Sequence, residues 1–341
     1  MNATPTKSPG HNFKWLVSQP SLWIAFVLWT LISVAYMALC HGPHGHAALN
    51  LPASDLKEAA IGQVIGSWIA LLFLILECGL IFLITKRRPW PNLAERAPQH
   101  NTARRETIAL VIYAAVILVV GRIVGLHFFG EGIAMHLNGS LVGATRVQSP
   151  VEVTTWAAWN FTFFALIPYV VFRMRGYSNQ QMNLKSANWK SDLLVVLIVM
   201  AIGCAFDIRA FLPLTTHQKV AGGLLSFILH LAGTDLPIMI FIYAILLPRY
   251  ARIFSPATAF LIGAASYPAM HIFEPFTRYD SFQHSLVSAI FVFLFFFPPG
   301  IMKSFLTFRT GNAWVHMWGF HAIDPHVTVD TRLIVRDFNI S

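Results

Sequence analysis

Residues 86–106 read KRRPWPNLAERAPQHNTARRE, and six of these 21 positions are lysine or arginine. On either side lie apolar runs, 61–85 and 106–128, close to the ~20 residues needed to cross a bilayer core. A basic connection between two such runs reads as a loop joining membrane spans, on the face where positive charge collects.

The rest of the chain repeats this pattern. Apolar runs at 20–40, 151–173, 192–213, 222–247, 256–274 and 283–307 bring the expected spans to about eight, and a shorter piece, 311–324, enters part way. The first run has Lys7 and Lys14 upstream, as in a signal peptide, but it exceeds a typical signal core, and AYMALCHG (35–42) is a poor cleavage site. It is expected to stay as an uncleaved helix. Composition agrees: of 341 residues 56% are hydrophobic and 11% charged, with a mean hydropathy of +0.59. Soluble domains carry about 25% charged residues. The fold class is therefore all-α, a polytopic integral membrane protein, because only helices satisfy a lipid-exposed backbone one segment at a time.

Basic residues return after the fourth expected span (Arg173, Arg175, Lys185, Lys190), after the sixth (Arg249, Arg252) and at the end of the eighth (Lys303, Arg309). Connections between them hold one or two each. By the positive-inside rule the N-terminus and the ends of even-numbered spans are cytoplasmic. Short loops fit a bacterial inner (plasma) membrane. The net charge of +9 then belongs to loops facing anionic lipid. No interleaved aromatic–basic motif points to nucleic acid. The chain divides into an N-terminal tail (1–19), a four-helix membrane region (20–190), a C-terminal membrane core (191–325) and a C-terminal tail (326–341), without internal repeat.

Charged groups inside spans usually face the bundle interior and mark sites. Glu77 with Arg122, and Asp207 with Arg209, are expected to neutralise each other. Asp235 lies 13 residues before Pro248, His271 15 after Pro256, and His321 11 after Thr310. At 1.5 Å per residue these depths are roughly 20, 22 and 17 Å from one face. Gly233 and Pro237 flank Asp235 and predict an interrupted helix there. In TGNAWVHMWGFHAIDPHVTVD (310–330) the histidines at 316, 321 and 326 step by five residues, about 140° apart on a helix, so they cannot share a point on that helix alone. His321 and Asp324, at i and i+3, can touch. His316 packs elsewhere, and His326 and Asp330 fall in an exit loop. CHGPHGH (40–46) places His41, His44 and His46 beside Cys40, types that hold copper or zinc. The three cysteines, Cys40, Cys78 and Cys204, form no disulfide or paired-cysteine zinc pattern.

Residues 235–325 resemble the CAAX prenyl protease and bacteriocin-processing family of intramembrane proteases. LLPRYARIFSPATAFLIGAASYPAMH (246–271) is similar to that family's basic turn and second-motif helix, ending on His271. TGNAWVHMWGFHAI (310–323) is similar to its third-motif helix and places His321. The family's EExxxR motif is not matched; Asp235 stands about three residues early, and Pro325 occupies the slot after Asp324. What the resemblance implies is a metal-independent, cofactor-free endopeptidase acting on a membrane-associated peptide or protein. In it Asp235 and His271 activate water, and His321 with Asp324 steadies the oxyanion. The alternatives left open are an inactive membrane scaffold or binding protein of the same fold and a transporter of protons, metal or a small solute.

Overall fold

The computed structural model describes residues 18–52 and 58–341; Lys7, Lys14 and most of the N-terminal tail lie outside them. The chain is an all-α membrane protein. Seven helices are long and apolar enough to cross a bilayer: α1 Pro20–Leu39, α2 Ala60–Ile84, α3 His100–Phe129, α4 Pro150–Met174, α5 Trp189–Ala210, α6 Gln218–Ile253 and, after α7, α8 Phe282–Thr310. Helix α7, Pro256–Met270, has 15 residues. It covers roughly 22 Å of a ~30 Å hydrocarbon core, so the expected span 256–274 ends early, at His271. Short helices α9, Ala313–Phe320, and α10, Thr331–Asp337, complete the fold.

Helix ends follow local chemistry. Ser149 caps α4 by accepting from the Glu152 amide, with Pro150 at the first position. Ser255 and Ser281 cap α7 and α8 in the same way. Gly130 and Gly311 close α3 and α8 with φ of +74° and +65°, a left-handed conformation that glycine adopts without a Cβ clash. In the turn before α8, hydrogen bonds from Arg278 and His284 hold the exposed Asp280 carboxyl down to about 2.

Helices α1, α2 and α5 bury under a fifth of their apolar windows and turn leucine, isoleucine and phenylalanine outward, as lipid contact requires. Helix α6 has 83% of its apolar window buried and forms the central post. The sequence pattern predicts a break at Asp235. Instead α6 runs on through π-helical turns at Leu231–Asp235 and Met239–Leu246. Widening the helix absorbs the amide that Pro237 lacks, and π turns of this kind gather at functional sites.

The expected ion pairs also re-sort. The guanidinium of Arg122 lies over the rings of Phe273 and Tyr279, at 5.2 and 4.9 Å, rather than beside Glu77. Asp207 approaches Asp324 instead of Arg209. On the face bearing Lys86–Arg105, arginines act as buried clamps. Arg88 meets Asp192 at 2.5 Å and the Thr310 carbonyl at 2.6 Å, Arg96 donates to Asn183, and Arg249 reaches Glu106 at 2.7 Å. Lys303 does not close a loop; it is 1% exposed, with Nζ 4.4 Å from the Tyr267 ring centroid.

Residues 326–341 are not a free tail. Asn312, at the start of α9, bonds Asp192 near the basic face, while Gln218 and His217, at the far end of α6, contact the Ile340 and Ser341 carbonyl oxygens. The final 30 residues therefore thread the whole bundle. Their middle, 321–330, is irregular backbone, tolerated at membrane depth because protein surrounds it.

Candidate metal centre

Five imidazoles and three carboxylates converge where these segments meet. Helix α6 supplies His230 and Asp235. The end of α7 supplies His271 and the following turn Glu274. The connection 130–149 supplies His136, and the irregular segment supplies His321, His326 and Asp330. None of the eight is more than 2% exposed. Ring centroids lie 4.7 Å apart for His136 and His271, 5.5 Å for His136 and His326, 4.9 Å for His321 and His326, and 4.7 Å for His230 and His326. Phe296 of α8 stacks on His271 and His136 as an apolar floor.

Four of the five histidines are aimed by what the outer nitrogen meets. Nδ1 of His271 lies 2.6 Å from the Tyr267 carbonyl and Nδ1 of His230 2.9 Å from the Ser226 carbonyl. A carbonyl only accepts, so both Nδ1 atoms carry the proton and both Nε2 atoms are bare lone pairs. Nδ1 of His326 donates to Asp330 at 2.8 Å, and Nδ1 of His136 faces Glu274 at 3.2 Å. These are the carboxylate–histidine and carbonyl–histidine pairs that orient metal ligands. The inward atoms, Nε2 of His136, His230, His271 and His326 and Nδ1 of His321, have no hydrogen-bond partner, nor has either oxygen of Asp235. Asp235 Oδ1 stands 3.2 Å from His321 Nδ1 and 3.7 Å from His326 Nε2, without hydrogen-bond alignment.

Three groups place their ligand atoms within 4.8 Å of one another: His136, His321 and His326; His136, His271 and Glu274; His230, His326 and Asp330. The second and third share no residue. Imidazole-rich sites with carboxylates suit zinc, iron and copper.

The connection carrying His136 is itself held firmly. Trp156 and Asn160 both donate to the Ala134 carbonyl, at 3.0 and 2.8 Å, and Ser140 donates to Asp330 at 2.5 Å. Glu131, Arg146 and Glu152 tie its outer rim.

Of the residues singled out from sequence, Asp235, His271 and His321 share this nest. Asp324 does not meet His321; it accepts from Thr328 at 3.1 Å and lies against Asp207 and Gly203. His316 packs apart, on Tyr243 and Thr307. His326 and Asp330, assigned to an exit loop, are central because the segment turns inward after Pro325. His136 escapes a reading of spans because it sits in a polar connection, where the apolar flanks of IAMHL (133–137) were the one available sign; Glu274 is the last residue of the expected span 256–274 and falls in the turn after α7, which ends at Met270. His41, His44 and His46 are exposed, with His46 Nδ1 3.3 Å from the Glu58 carbonyl, and join none of the three groups.

Beside the nest a cleft of about 1010 Å³ runs along α2, α5 and α8, its inner wall formed by Tyr267, Lys303, His321 and Asp324. Comparison of the chain with protein families, with curated proteins and with solved structures returns no match.

Proposed function

We propose that this chain is a membrane-embedded metalloenzyme, with the histidine–carboxylate nest holding one or two first-row transition-metal ions. The observation that carries this reading is the set of five buried imidazole nitrogens without hydrogen-bond partners, in four of which (His136, His230, His271 and His326) the second ring nitrogen is held. Leaving a buried polar atom unsatisfied costs roughly 1–3 kcal/mol. Five of them together rival the ~5–15 kcal/mol net stability of a folded domain. A water donates two hydrogens and can satisfy at most two bare nitrogens; a metal ion accepts from three or four at once.

When bound, the ion supplies Lewis acidity if it is zinc, or redox chemistry if it is iron or copper. The protein's part follows from its own residues. His271, His230, His326 and His136 present lone pairs in fixed tautomers. Asp235 offers two free oxygens to a ligand or a proton. Phe296 and the surrounding helices keep bulk water out. In this reading the basic face is cytoplasmic, as in a bacterial plasma membrane.

Elemental analysis of protein purified in detergent without added metal tests the proposal. One to two equivalents of zinc, iron or copper per chain are expected, falling by at least half in His136→Ala and His326→Ala. Metal-free protein whose unfolding temperature ignores both chelator and added ions would overturn it.

A second reading follows from the 3.2 Å separation of Asp235 and His321. These two side chains could activate water without a metal for peptide hydrolysis, the reaction class that the family resemblance implies, with His321 in the role expected of His271. Chelation separates the two: a metal-independent peptidase keeps its activity after the ions are stripped.

A further inference from the structure

The cleft lies in the wall of the bundle that faces hydrocarbon. Helix α2 packs on α8 and α5 packs on α9. Between α2 and α5, the ring of Phe73 meets that of Phe206 edge-on at 5.3 Å. Around this meeting point Ile69, Leu72, Leu76 and Phe206 are 59–65% exposed, as lipid-facing side chains are. At about 1010 Å³ the space lies at the upper end of the ~300–1,000 Å³ of small-molecule sites. Its outer end carries Glu58 and Gln63, polar groups near the start of α2, and Ile69, Phe73, Ile202 and Phe295 line its middle, with the carboxyls of Glu77, Asp207 and Asp324 on the same lining. Its inner wall is continuous with the nest, because His321 lines the cleft and also belongs to a metal-ligand group. Lys303 lines it too, with an Nζ that has no hydrogen-bond partner.

We infer that the substrate is a bilayer lipid whose hydrocarbon chain enters sideways between α2 and α5 and lies in this cleft, against His321 and Lys303. The inference rests on the metalloenzyme reading, since that reading makes His321 a wall of the reaction centre. A chain dissolved in the membrane is matched by the apolar middle of the cleft, and a polar head by its outer end.

The test uses the full-length protein in detergent–lipid micelles and two photoreactive probes with the same 16-carbon chain bearing a mid-chain diazirine. One is the free fatty acid and the other a phosphatidylcholine. Labelled peptides are mapped by mass spectrometry, and metal content is measured on the same samples. Label concentrated on the cleft-lining stretches of α2, α5 and α8 is expected from at least one probe; the probe that labels identifies a free or an esterified chain. Gly66 lines the cleft, and a Cβ there meets nothing within 4 Å. Gly66→Trp should therefore plug the space, reduce cleft labelling at least tenfold and leave metal content unchanged. Gly79, equally open, lies on the same helix outside the cleft lining, so Gly79→Trp should leave labelling intact. Label spread evenly over the outer surface and indifferent to Gly66→Trp overturns the inference while the metal measurement still stands. Cleft-specific label on protein that holds no metal instead removes the metalloenzyme reading and keeps the lipid site.

Discussion

Glu274 shows how a single side chain acts here at one remove. Its carboxylate receives Nδ1 of His136 at 3.2 Å and lies 3.9 Å from Nε2 of His271, at 1% exposure. Glu274→Gln preserves shape and an accepting oxygen but removes the charge that makes the imidazole a better donor to a metal. Loss of such an outer partner typically lowers affinity 10–100-fold. Metal titration should show a drop of that size, with the unfolding temperature of the stripped protein nearly unchanged. At this scale the sequence was partly legible. Counting residues from the basic face placed Asp235, His271 and His321 at one depth; Asp235 lies 3.2 Å from His321, while His271 joins the nest through the ring of His136. His136 was hidden because depth counting works only inside helices, and Glu274 because, at the end of the expected span 256–274, it counts as lying at the membrane surface, whereas α7 ends early and the following turn folds inward. Lys303 was misread for a related reason: near the end of an apolar run, a lysine facing lipid headgroups and one facing a cleft look the same.

Among the elements, α6 depends most on one contact. Its π turn at Leu231–Asp235 brings Gly233 against the ring of Trp156, where a Cβ would overlap the indole. Alanine ordinarily favours a helix over glycine by about 1 kcal/mol. Here it must push a rigid ring, and overpacking of this sort costs roughly 1–3 kcal/mol. Gly233→Ala is therefore expected to lower the unfolding temperature and, by moving His230 and Asp235, to reduce bound metal. The glycine and Pro237 were visible in the sequence, but a broken helix and a widened one carry the same local signal. What decides between them is the tryptophan on α4, about 80 residues away in the chain. Likewise the expected Glu77–Arg122 pair gave way to ring contacts from Phe273 and Tyr279, partners that no helix-by-helix reading connects with α3.

For the molecule as a whole, the alternation of basic and non-basic connections carried most of the architecture, because charge crosses a membrane reluctantly and leaves its record in the loops. It carried less for the last 30 residues, whose helices are too short and too polar to register as a span. Since Asn312 lies near the basic face and Ser341 beside His217 at the other, a reporter fused after Ser341 should be found on the side opposite one inserted at Asn92. Reporters on the same side would contradict the threaded path.

That path also sets a timetable for biogenesis. His321, His326 and Asp330 leave the ribosome after all seven long helices, so the earlier helices must wait in the bilayer with Asp235, His230 and Lys303 lacking their final neighbours. The group of His230, His326 and Asp330 therefore closes last, whereas His136, His271 and Glu274 are all made before α8 begins.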